Sequence, residues 1–143
     1  MRTMKTAILP LLALLLAVVP TGAAAGPIHS PTDSPIDTAE SWLDLIDRER
    51  YAVGWELAGA GLKGAARKED WMRTVAASRL HRGPVLARRL DEESVTEAAA
   101  GLPPGEYALL SFATAFRETG DSVESLILAR EGGLWRVIAY FVR

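Results

Sequence analysis

Arg79-Leu-His-Arg-Gly-Pro-Val-Leu-Ala-Arg-Arg89 is the stretch at which the chain changes period. Upstream of it apolar residues recur at helical spacing, and downstream they alternate as in strands. Gly83 and Pro84 mark the boundary, because glycine supplies the backbone freedom that ends a helix and proline cannot continue one. The same segment carries four arginines and one of the chain's two histidines. Fold and chemistry therefore have to be read together here.

Upstream, the helix that enters this stretch is expected from about Lys68 to Arg82. Before it, Tyr51 to Leu62 places Tyr51, Trp55, Ala58 and Leu62 on one stripe but includes Gly54, Gly59 and Gly61. Each glycine costs about 1 kcal/mol against alanine in a helix interior, so either close packing compensates or the segment is partly broken. Farther back, Asp37 and Glu40 have capping-box spacing, and Ala39, Trp42, Leu43 and Ile46 follow at i, i+3, i+4 and i+7. A first helix, and with it the folded domain, is expected to begin at Asp37.

Downstream, Val85 to Leu90 reads as a strand, followed by a polar, alanine-rich connection from Asp91 to Gly105. Three more strands are expected over Glu106 to Arg117, Val123 to Arg130 and Leu134 to Val142, joined by Glu-Thr-Gly-Asp and Glu-Gly-Gly, turns suited to hairpins. Helices first and a meander afterwards predict one α+β domain over residues 37–143, with about three amino-terminal helices packed on a curved four-stranded antiparallel sheet. The last strand is apolar at both parities: Trp135, Val137, Ala139 and Phe141 on one, Ile138, Tyr140 and Val142 on the other. An antiparallel strand with one wet face would alternate more cleanly, so the face away from the helices is expected to be covered, with a second copy of the chain as one source of cover.

The first 25 residues do not belong to this domain. Arg2 and Lys5 precede an apolar run from Ala7 to Val19, followed by Pro20 and Ala23-Ala24-Ala25, the three-part layout of a secretory signal peptide with cleavage after Ala25. The run is shorter than the roughly 20 residues a membrane-spanning helix needs, and Pro10 breaks it. The expectation is an exported protein, periplasmic or secreted, with no integral membrane segment once the signal is removed. Residues 26–36, with prolines at 27, 31 and 35, read as a disordered lead-in.

The full chain has 16 Lys+Arg against 18 Asp+Glu; losing Arg2 and Lys5 leaves 14 against 18, a net of −4. That balance argues against a nucleic-acid partner. With no cysteine, the core alone must hold the fold, and disulfides, thiol catalysis and cysteine metal ligands are excluded. Two histidines without cysteines make no zinc site, the acidic run lacks calcium-loop spacing, and no Gly-x-Ser-x-Gly turn presents a serine. No metal, cofactor or catalytic residue is assigned.

On a helical wheel with Trp71 at zero, Val75 at about 40° and Met72 at about 100° define the buried face of the helix before Gly83. Arg79 falls at about 80° and Arg82 at about 20°, both inside it, while His81 lies opposite at about 280°. His81 is expected at the surface near the helix carboxyl terminus, and Arg82 is close enough to the end to snorkel to water. A guanidinium at Arg79 would meet the core unless something anionic receives it. Two receivers are possible: an internal carboxylate, with Asp47 and Glu124 as candidates, or a ligand entering a pocket, since the planar fork suits carboxylate and phosphate. In the next strand only one of Arg88 and Arg89 can face the helices, and Asp91, Glu92 and Glu93 stand ready to neutralise the other.

In order and spacing, Trp42-Leu43 with Ile46-Asp47, Tyr51 and Trp55, Trp71, Arg79 with Gly83 and Arg88, Gly105-x-Tyr107, Phe112-x-Thr114-x-Phe116, Glu124, and Gly133-x-Trp135-Arg136-Val137 with Tyr140 resemble a bacterial exported family known as domain of unknown function four-zero-one-nine. The family usually has a proline and an aliphatic residue where this chain has His81 and Arg82, and favours threonine at Ser125. The resemblance implies a cystatin-like or nuclear-transport-factor-two-like cone and brings no established activity, since function resides in a site and not in a scaffold.

The functional expectation is a noncatalytic domain that binds a partner protein or a small anionic or amphipathic ligand between helices and sheet. Arg79, Asp47, Tyr51, Trp55, Tyr107 and Tyr140 form the candidate ligand-binding set. The alternative is an isomerase- or dehydratase-like enzyme on the same fold, needing a desolvated Asp44 or Asp47 and a hydroxyl from Tyr107 or Tyr140.

Overall fold

The first helix is capped three residues earlier than the capping-box spacing predicts, because Ser34-Pro35 is a better start signal than Asp37. The structure, a computed structural model, describes residues 34–143, and the signal segment with the lead-in up to residue 33 lies outside them. Ser34 is the N-cap of α1 (Pro35–Asp47), with its Oγ accepting from the Asp37 amide at 3.2 Å and Pro35 in the first turn, where its missing N–H costs nothing. Residues 34–36 thus belong to the domain. The predicted stripe holds: Ala39, Trp42, Leu43 and Ile46 are buried.

Four helices precede the sheet where about three were expected. The glycine-bearing segment divides into α2 (Tyr51–Leu57) and α3 (Ala60–Ala65), followed by α4 (Lys68–Arg79). The break falls at Gly59, whose amide leaves the helix to donate to the Val137 carbonyl at 2.8 Å, tying the helical layer to the sheet edge. A Cβ at Gly59 would stand 2.7 Å from Glu131 Oε1 and 2.8 Å from Ile138 Cγ2, so only glycine permits this approach. The Glu131 carboxylate in turn accepts from the Ala60 amide at 2.9 Å, satisfying a donor at the start of α3.

The sheet is an antiparallel meander in the order β1 (Val85–Thr96), β2 (Tyr107–Phe116), β3 (Gly120–Glu131) and β4 (Leu134–Val142). β1 runs through Asp91, Glu92 and Glu93, residues expected in a connection. A register shift between Leu90 and Glu92 and the exposure of an edge strand let β1 carry these charges. The β3–β4 turn places Gly132 at φ 58° and Gly133 at φ 82°, the two positive values of a type I′ hairpin turn.

A further register shift, at Ile127/Leu128 opposite Ile138, resolves the apolar double parity of β4. Trp135 and Val137 precede the shift and face the helices, and beyond it Tyr140 takes over that face, leaving Phe141 outside and 59% exposed. One face of β4 therefore accounts for residues of both parities. Between sheet and helices, Trp42, Trp55 and Trp71 pack on Leu110, Phe112, Leu126 and Leu128. Trp42 Nε1 donates to the Gly54 carbonyl at 2.9 Å, so its polar edge is satisfied inside the core. Among the described residues no helix is long and apolar enough to cross a membrane.

Candidate functional site

Local periodicity carries four charged groups into one volume. Trp71, Val75 and Arg79 lie four apart on α4, so the packing of the first two carries Arg79 inward at the helix's last turn. Asp47 ends α1 four residues after the buried Leu43. Arg88 is the member of the Arg88-Arg89 pair that faces the helices, opposite Thr114 on β2, and Glu124 pairs with Phe112 on the same face of the sheet. Arg89 points out and pairs with Asp91 at 3.1 Å in an exposed contact.

These four form a closed clamp. Glu124 Oε1 accepts from Arg79 Nη1 at 2.7 Å and from the Tyr140 hydroxyl at 2.7 Å. Its other oxygen, Oε2, accepts from Arg88 Nε at 2.7 Å and from Thr114 Oγ1 at 2.7 Å. Asp47 receives Arg88 end-on, with Nη1 to Oδ2 at 2.7 Å and Nη2 to Oδ1 at 3.0 Å, and also receives Arg79 Nη2 on Oδ1. Side-chain exposure is 0% for Glu124, 8% for Arg79, 15% for Arg88 and 23% for Asp47, so the clamp is closed at Glu124 and most open toward water at Asp47. Phe116 closes it from another side, its ring centroid 4.7 Å from the Arg79 guanidinium carbon.

Two positive and two negative charges sum to zero, which is what lets the group remain buried. Burial alone would lower the pKa of Arg88, but its hydrogen bonds to Asp47 and the charge of Glu124 outweigh that and raise it. Tyr140 is raised well above the usual phenol value, first by burial and then by the adjacent Glu124 charge, and stays a neutral donor. Among the described residues no buried side-chain nitrogen or oxygen lacks a hydrogen-bond partner.

Of the expected set, the structure brings Arg79, Asp47 and Tyr140 together and leaves the others apart. Tyr51 stands beside the clamp and lines an open cleft of about 410 Å³ together with Ile46, Asp47, Ala76, Arg79 and Leu80. Trp55 is core, 5.6 Å from Trp71 between ring centroids. Tyr107 lies at the far end of β2, where its hydroxyl donates to the Pro103 carbonyl at 2.7 Å. Asp44 pairs with Arg48 on the exposed side of α1. Arg79 was legible as inward from its wheel position, and both of its candidate carboxylates receive it at once.

Thr114 was absent from the candidate set, and Arg88 could not be chosen over Arg89. The signal for both is the inward parity of β1 and β2, readable only once the register is known. Arg82, expected to reach water, turns onto β3 instead, donating from Nη1 to Ser122 Oγ at 2.8 Å with its guanidinium carbon 5.6 Å from the Phe116 centroid. The helix ends at Arg79, so position 82 no longer follows the wheel. His81 is exposed, as its wheel position predicts.

Fold and site together define a class: an α+β domain with a helical layer on one face of a four-stranded meander, locked by a neutral buried ion clamp. The family model described as protein of unknown function (DUF4019) matches residues 38–140, and the chain belongs to that family. No curated protein and no solved structure matches it.

Proposed function

We propose that this is a noncatalytic exported domain whose cleft beside the clamp receives a small amphipathic ligand or an amphipathic side chain of a partner protein. The observation that carries the reading is the saturation of the clamp. Each carboxylate already accepts from both guanidiniums, and Tyr140 is held as a neutral donor. General acid–base work needs a group free to take or give a proton within reach of substrate, which favours a binding role over isomerase- or dehydratase-like chemistry. The same saturation favours the amphipathic half of the expectation over the anionic half, because Arg79 has its counter-charges inside the protein. Ile46, Ala76, Leu80 and Pro84 supply apolar wall to the cleft, and Asp47, Glu49 and Tyr51 supply polar edge. Export rests on the pattern of residues 1–25, and a cystatin-like or nuclear-transport-factor-two-like cone is supported by the helices-then-meander order.

Native mass spectrometry of the protein recovered from the exported fraction tests this. A bound mass is expected, lost in Ala76→Trp, which fills the cleft at a half-buried position that takes no part in the clamp's hydrogen bonds, with an unchanged circular dichroism spectrum. Protein that carries no added mass and captures no partner, or a mass retained by Ala76→Trp, would overturn the cleft assignment.

A further inference from the structure

The face of the sheet away from the helices carries a pattern that matches itself when turned end for end. Two adjacent outward rows cross all four strands: Arg89, Ala113, Val123 and Arg143 in one, Glu92, Ser111, Ser125 and Phe141 in the next. The inward row Leu90, Phe112, Glu124 and Val142 lies between them. The first row carries two arginines and small or β-branched side chains; the second carries a carboxylate and an exposed phenylalanine. One row farther out, Ala115 stands on the arginine side and Leu109, 38% exposed, on the phenylalanine side.

We propose that a second copy of this chain packs on this face, related by a two-fold axis that lies in the interface, crosses the strands and passes over the Leu90-Phe112-Glu124-Val142 row. That operation reverses strand direction while keeping β1 over β1, the isologous arrangement of a closed dimer. Arg89 then meets the partner's Glu92, Arg143 lies over the ring of the partner's Phe141, and Leu109 fills the space above the partner's Ala115. Each contact occurs twice. Leu109 over Ala115 and Val123 over Ser125 set the larger side chain against the smaller, so the two faces interdigitate at the central strands. Asp121, in the same row as Ala115, finds no opposite charge in this arrangement and lies over the partner's Ile127, at the rim beside the β2–β3 turn. Arg89 has 72% of its side chain exposed and shares only a surface pair with Asp91, so it can exchange that partner at little cost. The inference is independent of what occupies the cleft, which lies on the other side of the sheet.

Sedimentation equilibrium of the protein, as processed by the cell that expresses it, tests the pairing. A monomer–dimer equilibrium is expected, with Phe141→Glu and Arg89→Glu each raising the dissociation constant about tenfold or more. The exchange Arg89→Glu with Glu92→Arg is expected to recover most of the affinity lost by Arg89→Glu. All three positions are exposed, and thermal melts of the monomer report whether the fold is kept. A strict monomer, a dimer indifferent to Phe141→Glu, or a charge exchange that fails to recover affinity would each overturn this arrangement.

Discussion

Arg79 and Glu124 are 45 positions apart in the chain and 2.7 Å apart in space, and between them they join the end of α4 to the centre of the sheet. Glu124 is fully buried, so removing its charge leaves two guanidiniums facing one carboxylate in low dielectric. Glu124→Ala is expected to cost about 3–5 kcal/mol by chemical denaturation. The double substitution Arg79→Met with Glu124→Leu leaves the neutral Arg88–Asp47 pair in place and is expected to cost less than the sum of its single changes, by about 1–3 kcal/mol. Strict additivity in this double-mutant cycle would show that the two do not act as a unit.

Arg88 binds through geometry as well as charge. Its Nε reaches Glu124 while Nη1 and Nη2 reach both oxygens of Asp47, a span that a lysine ammonium cannot cover. Arg88→Lys keeps the charge and is expected to destabilise by about 2 kcal/mol or more. Urea unfolding of the variant beside Arg89→Lys, an exposed control expected to move stability by less than about 0.5 kcal/mol, separates the two positions.

Tyr140 makes stability fall at high pH. Its folded pKa is raised, so the folded chain keeps the phenol proton where the unfolded chain gives it up. The contribution is whole below the unfolded tyrosine value of about 10 and is lost as pH rises above it. Tyr140→Phe is expected to be less stable near neutrality by about 1–2 kcal/mol, from the lost hydrogen bond to Glu124, and to show a shallower decline above about pH 10. Denaturation curves of both proteins across that range give the comparison, and parallel slopes would contradict it.

Two glycines, one at the break before α3 and one within it, are expected to respond with opposite sign. At Gly59 a Cβ would collide with Glu131 and Ile138, whereas at Gly64 it would meet nothing within 4 Å. Gly59→Ala is expected to cost about 1–3 kcal/mol, and Gly64→Ala, within α3, to stabilise by about 0.4–1 kcal/mol. Thermal unfolding of the two variants measures both.

Local signals carried much of this molecule. The helix-to-strand change at Gly83-Pro84, the Trp42 and Trp71 stripes, the turn at Gly132-Gly133 and the inward aim of Arg79 all follow from the order of neighbouring residues, because helix and strand periods are set by local backbone geometry. Bounds were less legible wherever a distant group decides them. Gly59 breaks the helix because Val137 on β4 takes its amide, and β1 extends through acidic residues because β2 pairs with them.

From its residues alone the chain determined that it is α+β, that its helices come first, and that a charge at position 79 would need an anionic receiver. Tertiary structure alone decided that Asp47 and Glu124 share that role, that Arg88 rather than Arg89 completes it, and that the shift opposite Ile138 turns Tyr140 inward. The physical reason is that a buried charge is balanced by whichever opposite charges lie within hydrogen-bonding distance, and strand register, with its single-residue slips, brings those partners from remote parts of the chain.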